Sequence, residues 1–147
     1  MPEFVPASQP DVERLLGWIA ELYRHDGIPF DASVVRPAVA TLLDEPALGR
    51  VWLITVDTQP VGYLVLTFGY SLEFGGRTAV LDELFVAEAY RGQGLGTQAL
   101  RFAADECRKL GARVVQLEVD RHNLDAQRLY RATGFVDHDR YPMSFRL

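Results

Sequence analysis

The residues best suited to chemistry begin with a glycine turn, Tyr90-Arg91-Gly92-Gln93-Gly94-Leu95-Gly96. It stands between a short apolar run, Leu81 to Val86, and an amphipathic stretch that runs from Gly94 to Leu110 and stops at Gly111. Such a turn suits anion binding. A helix leaves its first N–H groups without internal partners, and the aligned peptide dipoles place partial positive charge there. Glycines at 92, 94 and 96 allow a phosphate to reach the backbone without Cβ clashes. Arg91 adds formal charge at the entrance or points to solvent. Two acids, Asp82 and Glu83, interrupt the apolar run just upstream.

The elements that must hold these residues follow from periodicity. Pro10 sits in the first turn of a helix whose apolar face is Val12, Leu15, Leu16, Ile19, Leu22 and Tyr23; Gly27 and Pro29 close it. Asp31 caps a second helix through Val34, Val35, Val39, Leu42 and Leu43. Val51 to Val56, Val61 to Tyr70 and Arg77 to Val86 read as three strands joined by short turns, an antiparallel meander. Gly62 and Gly69 within them suggest bulges or close approach. The glycine turn opens a helix with Leu95, Ala99, Phe102, Ala103, Cys107 and Leu110 on one face, and Val114 to Val119 is the strand after it. Strand, helix, strand is a parallel crossover unit. Leu124 to Ala132 is a short helix with Asn123 as N-cap, and Phe135 to Asp139 and Met143 to Arg146 are expected as final strands. The fold class is α/β with a mixed sheet, and no linker composition divides residues 1–147, so one domain is expected.

Composition narrows the function classes. The formal net charge of −5 argues against nucleic acid as partner and suits a cationic substrate. No apolar run approaches a membrane span, and the N-terminus lacks the basic patch and apolar stretch of a signal peptide. The one cysteine cannot form an internal disulfide, which fits a reducing cytoplasm. Cys107 lies mid-helix on an apolar face and reads as a structural thiol, which favours direct transfer over a covalent enzyme intermediate. His25, His122 and His138 show no metal-ligand spacing, and no metal is expected.

Three features, the strand with RGQGLG, the crossover after it, and NLDAQRLYRATGF at 123–135, together resemble the GNAT superfamily of acetyl-CoA-dependent N-acetyltransferases. The family pattern Arg/Gln-x-x-Gly-x-Gly/Ala is met by Arg91, Gly94 and Gly96. Its downstream pattern Asn-x-x-Ala-x-x-Leu-Tyr-x-x-x-Gly-Phe is met by Asn123, Ala126, Leu129, Tyr130, Gly134 and Phe135. Within the superfamily, LDELFVAEAYRGQGLG looks most like the diamine and polyamine acetyltransferases, including the spermidine/spermine and thialysine enzymes.

The resemblance implies roles. Leu84, Phe85 and Val86 lend backbone groups to the pantetheine arm and the acetyl carbonyl of acetyl-CoA. Arg91, Gly92, Gln93, Gly94, Leu95, Gly96 and Thr97 wrap the diphosphate. Asn123 bonds the cofactor near its pantetheine end, with Ala126 close by, and Tyr130 protonates the departing thiolate. Asp82 holds the position of a substrate-binding acid and base, and Glu118 lies near the acceptor amine. Relatives place an acceptor-binding loop at Tyr23 to Phe30 and are often homodimers.

The chemistry asks for such residues. An alkyl ammonium has a pKa of about 10.4, so freeing its lone pair at neutral pH costs about 4.6 kcal/mol. A carboxylate can bind the cation and accept its proton directly or through water. Asp82 and Glu83 are the candidates. As neighbours on a strand they are expected to face opposite sides, so that only one meets the acceptor. The family match favours Asp82, and Glu83 remains a candidate. The expected function is transfer of an acetyl group from acetyl-CoA to a primary amine of a small molecule; the alternatives are a protein lysine or N-terminal acetyltransferase and a non-catalytic acetyl-CoA-binding module. A dinucleotide fold is disfavoured because Thr97 replaces the third glycine and five residues separate Val86 from Gly92.

Overall fold

The computed structural model describes all residues, 1–147. Its elements follow in the order β1 (Glu3–Pro6), α1 (Val12–Asp26), α2 (Ala32–Asp44), β2 (Gly49–Val56), β3 (Gln59–Ser71), β4 (Gly76–Val86), α3 (Leu95–Lys109), β5 (Val114–Gln116) and α4 (Leu124–Thr133). The five strands form one sheet in the order β1-β2-β3-β4-β5, antiparallel except for the parallel β4–β5 pair. This is the mixed α/β class expected, with the meander preceding the crossover.

Alternation along the strands builds a core on each face. Trp52, Ile54, Leu64, Leu66, Ala79 and Leu81 pack under Leu95, Ala99, Leu100, Ala103 and Cys107 of α3. On the other face, Val51, Leu53, Tyr63, Val65 and Phe85 pack under Leu15 and Ile19 of α1 and Val39 of α2. Because helices cover both faces, β2 is buried without interruption from Val51 to Thr55.

Local signals set the helix ends. The Asp31 carboxylate accepts the Ser33 N–H at 2.9 Å at the start of α2. Gly27, at φ +69°, ends α1 in the left-handed conformation, and the Ile28 N–H returns to the Tyr23 carbonyl at 2.8 Å. Tyr23 and Asp26 are thereby fixed in the last turn of α1.

Two expectations are corrected at the C-terminal end. The strand expected over 114–119 pairs only at Val114–Gln116, and the strands expected over 135–139 and 143–146 do not form. A strand exists only where a neighbour takes up its backbone groups. Here β5 is short, Pro142 has no N–H to give, and no other strand lies on that side. Val136–Leu147 is exposed throughout.

Candidate active site

The glycine turn is shaped as an anion cradle. Gly92 and Gly94 adopt φ of +75° and +80°, a region that costs any residue with a Cβ, and nothing in the chain lies within 4 Å of the Cβ either would carry. Gly94 caps α3 without a side-chain partner, and the first helical N–H bonded within the chain is that of Gln98, to the Gly94 carbonyl at 3.1 Å. The N–H groups of Leu95, Gly96 and Thr97 therefore stand at the positive end of α3 with no acceptor in the protein, as an oxyanion ligand requires. Arg91 turns inward: its Nε donates to the Val86 carbonyl at 2.7 Å, and its guanidinium lies 5.6 Å from the Phe85 ring centre. It ties the cradle to the end of β4.

Gly96 has a different task from its neighbours. A Cβ there would stand 3.0 Å from Leu129 Cδ2, so its missing side chain lets α3 and α4 pack closely. Gly96→Val is expected to lower stability by about 1–3 kcal/mol through overpacking. Thermal unfolding measures this, and adding Leu129→Ala should recover part of the loss.

Beside the cradle the sheet opens. The last paired residues of β4 and β5 are Val80 and Gln116, while β4 continues to Val86. Leu84, Phe85 and Val86 pair on their other side with Leu64, Tyr63 and Gly62 of β3. The added Cβ of Gly62 would lie 2.2 Å from the Phe85 carbonyl oxygen, so glycine alone allows that approach. The segment from Leu81 to Val86 thus borders a gap that β5 does not fill.

The two acids depart from simple alternation. Glu83 pairs with Val65 and Leu81 with Leu66, which leaves Asp82 as the extra residue of a β-bulge. The bulge turns Glu83 to the α1 face, where its carboxylate accepts hydrogen bonds from Tyr23 at 2.6 Å and Tyr63 at 2.7 Å. Asp82 is close enough to Glu83 and Tyr23 for its charge to act on both. Leu81 packs in the α3-side core while Glu83, two residues on, faces α1, so the bulge at Asp82 breaks the alternation of β4.

Burial pushes the Glu83 carboxyl up, with Asp82 and Asp26 adding to the rise, while the two tyrosine hydroxyls oppose it. Lost hydration, then the charge of Glu118, raises Asp82. Neither Asp82, Glu83 nor Glu118 forms an ion pair.

The downstream motif folds as a capped helix. Asn123 Oδ1 accepts the Ala126 N–H at 3.1 Å, the N-cap expected of it. Tyr130 is half-buried, 5.9 Å from Phe135 in an edge-on contact, and its hydroxyl makes no hydrogen bond within the chain. Burial, then the Asp26 charge, raises its pKa, so the phenol keeps its proton at neutral pH. An open hollow of about 470 Å³ lies between α1 and α4, edged by Asp26, Asp120, Asp125, His25 and His122. Cys107 is buried on the far side of the sheet, and desolvation pushes its thiol to about 11, unlike a nucleophile.

Sequence reasoning placed Asp26 in an acceptor-side loop but missed Tyr63 and Asp120 as parts of this region. A tyrosine within a strand reads as core, and only the β3–β4 register brings Tyr63 to Glu83. Asp26 and Asp120 carry no motif; their proximity depends on how α1 and α4 dock.

A partnerless row of N–H groups at a glycine turn, beside a splayed parallel pair, suits an anionic ligand. The family model "Acetyltransferase (GNAT) family" matches residues 13–135, and the chain belongs to that family. It is an acetyl-CoA-dependent N-acetyltransferase. Aminoalkylphosphonate N-acetyltransferase of Salmonella typhimurium is 27% identical over 88% of this chain and 81% of its own. An uncharacterised N-acetyltransferase of Bacillus subtilis is 42% identical over 76% of this chain and 74% of its own. Thialysine N-epsilon-acetyltransferase of Bos taurus is 35% identical over 52% of this chain and 45% of its own, so the likeness to that enzyme group is partial. Among solved structures, an integron cassette protein from the mobile metagenome of Cole Harbour salt marsh superposes with a TM-score of 0.85 at 34% identity, covering 98% of this chain and 90% of its own. An aminoglycoside N-acetyltransferase in complex with CoA shares the fold, with a TM-score of 0.83 at 14% identity, covering 99% of this chain and 95% of its own.

Proposed function

We propose that this enzyme acetylates the primary amine of a small cationic molecule, diamine-like or amino-acid-like, directly within a ternary complex. The observation that carries the reading is the group of carboxylates around the sheet opening, Asp82, Glu83 and Glu118, which have no cation of their own. An ammonium substrate would supply the missing charge.

The free N–H row and the left-handed glycines fit the diphosphate of acetyl-CoA. Acetyl-CoA supplies the acetyl group as a thioester, an acyl carbon activated toward amine attack. Arg91 and Gly92 to Thr97 hold the diphosphate, and the Leu84–Val86 backbone orients the pantetheine arm and acetyl carbonyl, with Asn123 and Ala126 alongside. Asp82 and Glu118 attract the ammonium. Glu83, fixed by two hydroxyls, accepts its proton directly or through water, and the electron pair stays on nitrogen. Tyr130 Oη gives its proton to the departing sulfur. Asp82→Asn is expected to raise the KM of the amine about tenfold, whereas Glu83→Gln should lower kcat by about a hundredfold. Steady-state kinetics with each variant separates binding from proton transfer.

The hollow beside Asp26 is open to solvent, which favours as second reading a lysine side chain or N-terminus of a peptide. Turnover of a panel of diamines, aminoalkylphosphonates and lysine peptides decides. A small diamine should give the highest kcat/KM; a peptide optimum selects the second reading, and tight acetyl-CoA binding without any turnover would leave a binding module.

We also propose a homodimer acting in the cytoplasm. Tyr141, Met143, Phe145 and Leu147 alternate in an exposed tail, the pattern of a strand that has no partner in its own chain. The unpaired Cys107 thiol suits a reducing compartment, and no helix is long and apolar enough to cross a membrane.

A further inference from the structure

Glu83 is held by a device that the acetyltransferase motifs do not include. The Tyr23 hydroxyl donates to one carboxylate oxygen at 2.6 Å and the Tyr63 hydroxyl to the other at 2.7 Å. A carboxylate has about four lone-pair sites, so each oxygen keeps one for an incoming proton. The two donors differ in kind. Tyr63 is fully buried, stacked near Trp18 and Phe85 with ring centres 6.2 and 5.9 Å away. It belongs to the core and cannot move without disturbing it. Tyr23 sits in the last turn of α1, edge-on to Phe30 at 6.1 Å, beside the left-handed Gly27 and the connection to α2. One support is rigid, and the other reaches in from the acceptor side.

We infer that Tyr23 and Tyr63 are positioning residues for N-acetyl transfer: together they hold the Glu83 carboxylate in place with one hydroxyl on each oxygen, and Tyr23 links the end of α1 to the group that accepts the substrate proton. This rests on the reading of Glu83 as proton acceptor. The charged groups facing Glu83 are Asp82 on its own strand and Asp26 on α1, both carboxylates, and Tyr63 is its contact from β3. Neither acid can support its charge, so the two hydroxyls are what oppose protonation. Burial, together with the adjacent carboxylate, raises both phenols and keeps them as donors.

The test combines Tyr23→Phe, Tyr63→Phe and Glu83→Gln in the full chain. Phenylalanine keeps each ring and its packing while removing the donor. Each tyrosine variant should lower kcat about tenfold with the KM for acetyl-CoA unchanged. In the substrate-free protein, the carbon-13 NMR titration of the Glu83 carboxyl should move up by about one pH unit. Adding Tyr23→Phe to Glu83→Gln should cost nothing further. If the Glu83 titration stays in place, or Tyr23→Phe lowers kcat equally with and without Glu83, the positioning role is overturned while Glu83 stands. If Glu83→Gln alone keeps the wild-type kcat, the reading of Glu83 itself falls.

Discussion

Tyr130→Phe is expected to lower kcat by about a hundredfold, the low end of what a positioned general acid contributes. The KM for acetyl-CoA should hardly change. Two features of the site set this expectation. The ring packs edge-on against Phe135, and phenylalanine preserves that contact. The hydroxyl has no hydrogen-bond partner in the chain, so its removal orphans nothing and should leave stability within about 0.5 kcal/mol of wild type. A hydroxyl that is half-buried and unused by the fold is free for the reaction. Pre-steady-state kinetics would report the loss in the acetyl-transfer step, and thermal unfolding would report the intact fold. A collapse of cofactor affinity with an unchanged rate would make Tyr130 a structural residue.

Gly94→Val carries the second large effect, this time on cofactor binding. At φ +80° a β-branched side chain strains the backbone by about 1–2 kcal/mol. The strain falls where the N–H groups of Leu95 to Thr97 emerge, so relaxing it tilts the donors away from their anion. Hydrogen bonds to charged groups contribute about 1.5–3 kcal/mol each, and loss of one should weaken acetyl-CoA about ten- to a hundredfold. A control exists just past the other end of α3. Gly111 also stands in the left-handed region, at φ +77° in open space, but at the opposite end of α3. Gly111→Val should cost similar stability and leave acetyl-CoA affinity unchanged. Calorimetric titration of both variants compares them directly, and equal affinities would refute the cradle.

Much of this enzyme was legible along the chain because its cofactor side is local. The turn Arg91–Thr97 and the helix it opens are contiguous, so glycine spacing and apolar period suffice to place them. Asn123 and the Ala126 N–H that it caps lie within one helical turn, and capping needs only such neighbours. The apolar faces of the helices followed from periodicity, since a helix reveals its buried face through spacing alone.

The acceptor side depended on the tertiary structure. Two-residue alternation would put Leu81 and Glu83 on one face, and the bulge opposite Val65 and Leu66 overrode it, leaving Leu81 in one core and Glu83 against α1. A bulge arises from the register between two strands and leaves no local mark. Tyr63 and Tyr23 meet Glu83 from β3 and α1 through packing, over separations that no motif spans. The tail shows the converse. Its alternating apolar residues announce strands, but a strand needs a neighbour to accept its backbone, and within one chain β5 ends at Gln116. Local spacing determined the helix ends, the cradle and the faces of the core, because those depend on bonds between near neighbours. Register and docking decided which acids share a site and which segments pair, because these depend on distant residues competing for the same backbone groups and the same space.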